Sequence, residues 1–145
     1  MTDIAFHFNA PDRLAYVCRL LRKAVSGGAK VVVTGDANTL RQLDADLWSL
    51  SPIDFVPHCD AGAAANVVAV TPVILASVID AAPHRQVLVN LNSHLPRGFE
   101  RFERVIEVVT LNDEDRLLAR GRWKEYVQLG FNIVRHDLKL KTNTP

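Results

Sequence analysis

Short apolar, β-branched runs alternate along the chain with stretches in which apolar residues recur every third or fourth position. These are the two periods that separate strands from helices. "IAFHFN" at 4–9 is rich in strand formers and predicts a strand. Asn9 is then expected to cap a helix whose first turn holds Pro11 and Asp12. In "RLAYVCRLLRKAV", Leu14, Val17, Cys18, Leu21 and Val25 share one helical face, and Gly27-Gly28 stops the helix. "KVVVTGD" predicts a central strand covered on both faces. "ANTLRQLDADLWSL" predicts a second helix with Leu40, Leu43, Leu47 and Leu50 on one side. "SPIDFVPHCDAGAAAN" is punctuated by Pro52, Pro57 and Gly62 and reads as loop, with a short extended piece around Phe55. "VVAVTP" and "RQVLVNLNS" predict strands, and "FERFERVIEVVTLN" a short helix followed by the strand "RVIEVV". "DEDRLLARGRWKEYVQLG" predicts the last helix, capped by Asn112 or Asp113, with acids in its first turn to suit the helix dipole and Gly130 at its end. "FNIVRHD" adds an edge strand, and residues 138–145 read as a flexible tail.

Strands alternating with helices indicate an α/β fold: one layered domain over residues 1–145, with a mostly parallel sheet and helices on both faces. The composition is compatible with this, since 48% hydrophobic residues can fill a sizeable core. Seventeen Lys and Arg against sixteen Asp and Glu leave a net charge of +1. That balance argues against a broad basic surface of the kind that coats nucleic acid. The N-terminal residues have neither a basic n-region nor an apolar h-region, and no apolar run approaches the roughly 18 residues of a membrane span. Two cysteines, Cys18 and Cys59, make no disulfide framework, and a cytoplasmic protein with reduced thiols is the simplest expectation.

Candidate chemistry is sparse. "VVVTGDANT" follows a strand with Gly35 but lacks the second glycine and the Lys-Ser/Thr of a phosphate loop. His58, Cys59 and Asp60 are consecutive, and a small enzyme built on the His58-Cys59 loop is one alternative. Adjacent residues, however, rarely aim at a common point. The five histidines show no metal-binding spacing. No catalytic residue, metal or cofactor is therefore expected.

The last helix is unusual in mixing cations with aromatics. Leu118, Ala119, Tyr126 and Leu129 define its expected core face. A neighbouring stripe holds Arg116, Arg120, Trp123 and Val127, with Lys124 at its edge. Either Trp123 caps the core edge among solvated cations, or the stripe docks a short acidic segment with an apolar or carboxylate end. A direct nucleic-acid binder using Arg116, Arg120, Arg122 and Lys124 is a further alternative. Trp48 and Phe55, near two prolines, read either as core plugs or as interface anchors.

Two stretches, "LDADLW" through "FVPH" (Leu43–His58) and "LLARGRWKEYVQLGFN" (Leu117–Asn132), resemble the chi subunit family of bacterial DNA polymerase III. The order of elements agrees over nearly the whole chain, while the loop "CDAGAAANVV" matches no family pattern. The resemblance implies a Rossmann-like α/β domain without nucleotide or catalysis. It implies two protein partners, with DNA reached only indirectly and no membrane. One partner is the acidic C-terminal tail of single-stranded-DNA-binding protein, held by Val109, Arg120, Trp123 and Lys124. The other is the psi subunit of the clamp-loader complex, held by Trp48, Pro52, Phe55 and His58. Tyrosine is the commoner family residue where Trp123 stands.

Overall fold

The computed structural model of the protein describes residues 1–50 and 52–139. Its strands are β1 (Asp3–Ala10), β2 (Val31–Thr34), β3 (His58–Asp60), β4 (Val73–Leu75), β5 (Val87–Asn90), β6 (Arg104–Thr110) and β7 (Ile133–Asp137). Its helices are α1 (Arg13–Ser26), α2 (Ala37–Trp48), α3 (Ala65–Val70) and α4 (Asp113–Gln128). The strands form one sheet in the order β3-β4-β2-β5-β6-β1-β7, and every neighbouring pair is parallel. This is the layered α/β architecture expected from the sequence.

Strand alternation sorts the core into two layers. Val31 and Val33 of β2, Val87 and Val89 of β5, and Ile106 and Val108 of β6 face Val17, Leu21, Leu43 and Leu47 of α1 and α2. Val32, Leu88, Val105 and Val109 face the other way, toward Val68 of α3 and Ala119 and Tyr126 of α4. All four residues of β2 are buried, which is why "VVVT" shows no alternation of its own.

Several local expectations are corrected. Asp12, not Asn9, caps α1, accepting from the Ala15 backbone N–H at 3.1 Å. Asn9 instead takes a left-handed conformation (φ 67°) where the β1–β6 register shifts, and its amide donates to Asp137 at 2.8 Å. Asn tolerates this conformation better than most residues. The extended piece placed around Phe55 is the strand β3, three residues later, after a 3-10 turn at Pro52–Asp54. "VVAVTP" is not a strand: Ala65–Val70 is helical and the strand is Val73–Leu75. The reason is topological, because β3 and β4 are parallel neighbours and the chain between them must return to the start of the sheet. The short helix before β6 is a 3-10 turn, Phe99–Arg101. Of the residues expected in a flexible tail, Leu138 is buried in the α1–α2 layer, and residues 140–145 lie outside the described residues.

Candidate functional site

Helix α4 is seated on the sheet by a polar contact. Its buried residues are Ala119, Arg122 and Tyr126, whereas Leu118 and Leu129, expected in the core, are 45% and 56% exposed. Arg122 and Tyr126 lie one turn apart and both reach Glu107 of β6, which is fully buried. Arg122 Nε donates to Glu107 Oε1 at 3.0 Å, and the Tyr126 hydroxyl and the Asn90 amide each donate to Oε2 at 2.8 Å. Burial pushes the Glu107 carboxyl up from its ordinary range; the Arg122 charge and the three hydrogen bonds pull it back. Tyr126 is pushed up too, by burial first and then by the Glu107 charge. Phe6 and Phe99 pack edge-on against the Tyr126 ring. With Arg122 only 3% exposed, the basic nucleic-acid surface that counted on it loses that member.

Fixing that face of α4 directs the next one over the β1–β7 margin. There a groove of about 400 Å³ opens. One wall is α4, carrying Arg116, Arg120, Trp123 and Lys124. The floor is Phe6 and Phe8 of β1 with Val109 of β6, and the other wall is Arg135 of β7. Trp123 is half-buried, its ring 5.0 Å from that of Phe6, and the Arg135 guanidinium lies 5.0 Å above the Phe8 ring. The lining holds four cations and no carboxylate. Among the described residues none of the four is ion-paired. Val109, Arg120, Trp123 and Lys124 thus line one cavity, while Val127, grouped with them in the sequence, stands 53% exposed outside it. The groove can hold an apolar group on aromatic carbons while cations meet negative charge around it.

Phe6, Phe8 and Arg135 were missed. The two phenylalanines are two residues apart in a strand and so share a face, a legible signal. Arg135 joins them only because β7 pairs with β1, setting it beside Phe6.

A second surface lies at the opposite edge of the sheet. Trp48 ends α2 and is 62% exposed; Phe55, between the 3-10 turn and β3, is 41% exposed, and Ile53 is 92% exposed. The Trp48 ring sits 5.2 Å from that of Phe55 and 5.2 Å from that of His58. His58 is buried beneath them, with Nδ1 2.7 Å from the Val56 carbonyl and Nε2 3.0 Å from Asp44 Oδ1. Trp48 and Phe55 are therefore not core plugs. Pro52 begins the turn, and its side chain lies outside the described residues.

The proposed His58-Cys59 enzyme centre is not assembled. Successive strand residues point to opposite faces, so Cys59 joins the α3–α4 layer while His58 lies beneath Trp48 on the α2 side. Burial pushes the other thiol, Cys18, up to about 11, away from nucleophilic use. The first residues of α2, where a phosphate would rest in a nucleotide-binding fold, are met by Asp36, which accepts from the Thr39 backbone N–H at 2.8 Å and its hydroxyl at 3.0 Å. Gly35 has a packing role, because a Cβ there would lie 3.1 Å from Leu91 Cβ. Among the described residues no group of three or more His, Cys, Asp or Glu could hold a metal ion, and no helix is long and apolar enough to cross a membrane.

A family model described as "DNA polymerase III chi subunit, HolC" matches residues 1–134. The chain is 32% identical over 127 residues to the DNA polymerase III subunit chi of Pseudomonas aeruginosa, covering 87% of each. It is 29% identical over 124 residues to that of Haemophilus influenzae (83% of this chain, 84% of the relative). It is also 29% identical over 119 residues to that of Escherichia coli (81% and 80%).

Proposed function

The chain belongs to the DNA polymerase III chi subunit family, and from that membership we propose that it is a non-catalytic adaptor of the replicative polymerase assembly. In this reading it links the clamp-loader complex, through the psi subunit, to the acidic C-terminal tail of single-stranded-DNA-binding protein. The observation that carries the reading is the cationic groove: four positive side chains, none ion-paired among the described residues, around an aromatic floor, with no carboxylate in the lining. An acidic peptide ending in an apolar residue with a free carboxylate complements each part of it. Lys124 acts as a point charge on the terminal carboxylate, Arg120 on that group or on a preceding acid, and Trp123 with Val109 takes the apolar side chain. The psi subunit is assigned to the exposed aromatic patch of Trp48 and Phe55 over His58, with Pro52 in the adjoining turn.

The position of the two surfaces supports an adaptor role. The groove lies at the β7 edge and the aromatic patch at the β3 edge, with six strand spacings between them. At about 4.8 Å per spacing this is roughly 30 Å, enough for two partners to bind at once.

The reading is tested by titrating the protein with a short acidic peptide that ends in a free apolar residue. Binding is expected near the micromolar range, roughly 8 kcal/mol. Lys124→Ala or Arg120→Ala should weaken it by about 1–3 kcal/mol. Amidating the peptide terminus should mimic that loss. Equal binding of free and amidated peptides, or tighter binding of a bare oligonucleotide than of the peptide, would overturn the assignment.

A further inference from the structure

The two walls of the groove carry charge differently. Arg116, Arg120 and Lys124 stand together on α4, whereas Arg135 stands by itself on β7 with its guanidinium over the Phe8 ring. A guanidinium stacked on an aromatic face keeps the N–H groups on its edge free to donate in a planar fork. Stacking also reduces the freedom lost when that fork engages an anion. The obvious acid on the same strand face, Asp137, is engaged elsewhere: it accepts from the Asn9 amide at 2.8 Å and from the Lys139 backbone N–H at 3.0 Å. Arg135 is exposed and forms no ion pair among the described residues. An aromatic floor thus lies between one cationic wall on the helix and a second on the sheet edge.

We propose that Arg135, held on Phe8, is a second carboxylate subsite, which makes the groove selective for a peptide with an acidic side chain upstream of its free C-terminus. This rests on the reading of the groove as a peptide-tail site and names what that site discriminates. The terminal carboxylate and apolar end lie against α4 and the floor. The chain then crosses toward β7, where an upstream Asp or Glu meets the Arg135 fork. A peptide with the same end but neutral upstream residues fills only the α4 half.

The experiment is a double-mutant cycle between protein and peptide. Two peptides share one free apolar C-terminus; one carries upstream Asp residues and the other Asn at the same places. Each is titrated against the native protein, Arg135→Ala, Lys124→Ala and Arg104→Ala. Arg104 is an exposed cation at the far end of β6 and reports any effect of overall charge alone. Arg135→Ala is expected to weaken the Asp peptide by roughly 3- to 20-fold, between the ranges for exposed pairs and for charged hydrogen bonds. It should leave the Asn peptide unchanged, while Lys124→Ala weakens both and Arg104→Ala neither. Unchanged melting temperature in Arg135→Ala checks that the fold is intact. If Arg135→Ala weakens both peptides equally, or no more than Arg104→Ala does, the subsite is wrong. If Arg135→Ala is silent while Lys124→Ala still acts, the subsite is wrong and the peptide-tail reading stands. If neither peptide binds the native protein, both fall.

Discussion

Arg122 sits among three other basic residues in "RLLARGRWK", yet its guanidinium is inside the protein while Arg116, Arg120 and Lys124 remain outside. Its burial is compensated by Glu107, and removing one partner leaves the other charge in a dry site. Arg122→Leu is therefore expected to cost about 3–5 kcal/mol in denaturant unfolding. Adding Glu107→Leu to that variant should recover much of the loss, because a buried ion pair replaced by apolar groups is often close to neutral. A double variant less stable than Arg122→Leu alone would contradict this account. His84 makes a pH-dependent prediction. Burial, then the charges of Lys30 and Arg85, hold its pKa below the ordinary value. The Pro72 carbonyl opposes them least, and among the described residues neither ring nitrogen has a hydrogen-bond partner. The folded protein thus takes up this proton less readily than the unfolded chain. From about pH 6.5 downward the unfolded chain gains the proton first, so stability falls as pH falls through that window. His84→Gln should flatten this part of the stability–pH curve, read by urea unfolding at pH 7 and pH 5 against the native protein.

Among the elements, the long helices announced themselves and the connections did not. In α1 and α2 the expected apolar stripes are the buried ones, Val17, Cys18 and Leu21 in the first and Leu40, Leu43 and Leu47 in the second. The start of α1 was misplaced because Asn9 and Asp12 are both good caps, and only the bulge in β1 removes Asn9 from that role. Asp12→Ala should accordingly cost about 0.5–2 kcal/mol. Asn9→Gly should cost less, because the freedom of glycine at a left-handed position offsets the lost amide hydrogen bond to Asp137. Equal losses for the two in thermal unfolding would argue against the assigned cap. Helix α3 shows the limit of composition: a Val-rich run is helical because it bridges two parallel strands, and only Val68 of it is buried.

At the scale of the whole molecule, the exposed aromatics separate surface from core. Phe55 lies in the patch at the β3 edge, half out of the protein, whereas Phe99 is buried against Tyr126 and Phe131. Phe99→Ala should lose about 3–5 kcal/mol. Phe55→Ala should lose far less stability yet, under the proposed function, abolish capture of a psi partner, measured by co-purification alongside melting temperature. A comparable collapse of both variants would return Phe55 to the core. The sequence alone determined the α/β class, the alternation of strands and helices, the end of α4 at Gly130 and the grouping of Arg120, Trp123 and Lys124. Each of these is written in spacing within one segment, or in a residue's own backbone preference, as with the left-handed Gly130. Only the tertiary structure decided that Glu107, Arg122, Tyr126 and Asn90 meet, that Arg135 and Lys124 line one groove, and that His58 and Cys59 part to opposite faces. Those outcomes depend on which strands become neighbours, and strand order arises from packing the whole chain around one sheet, which no local pattern encodes.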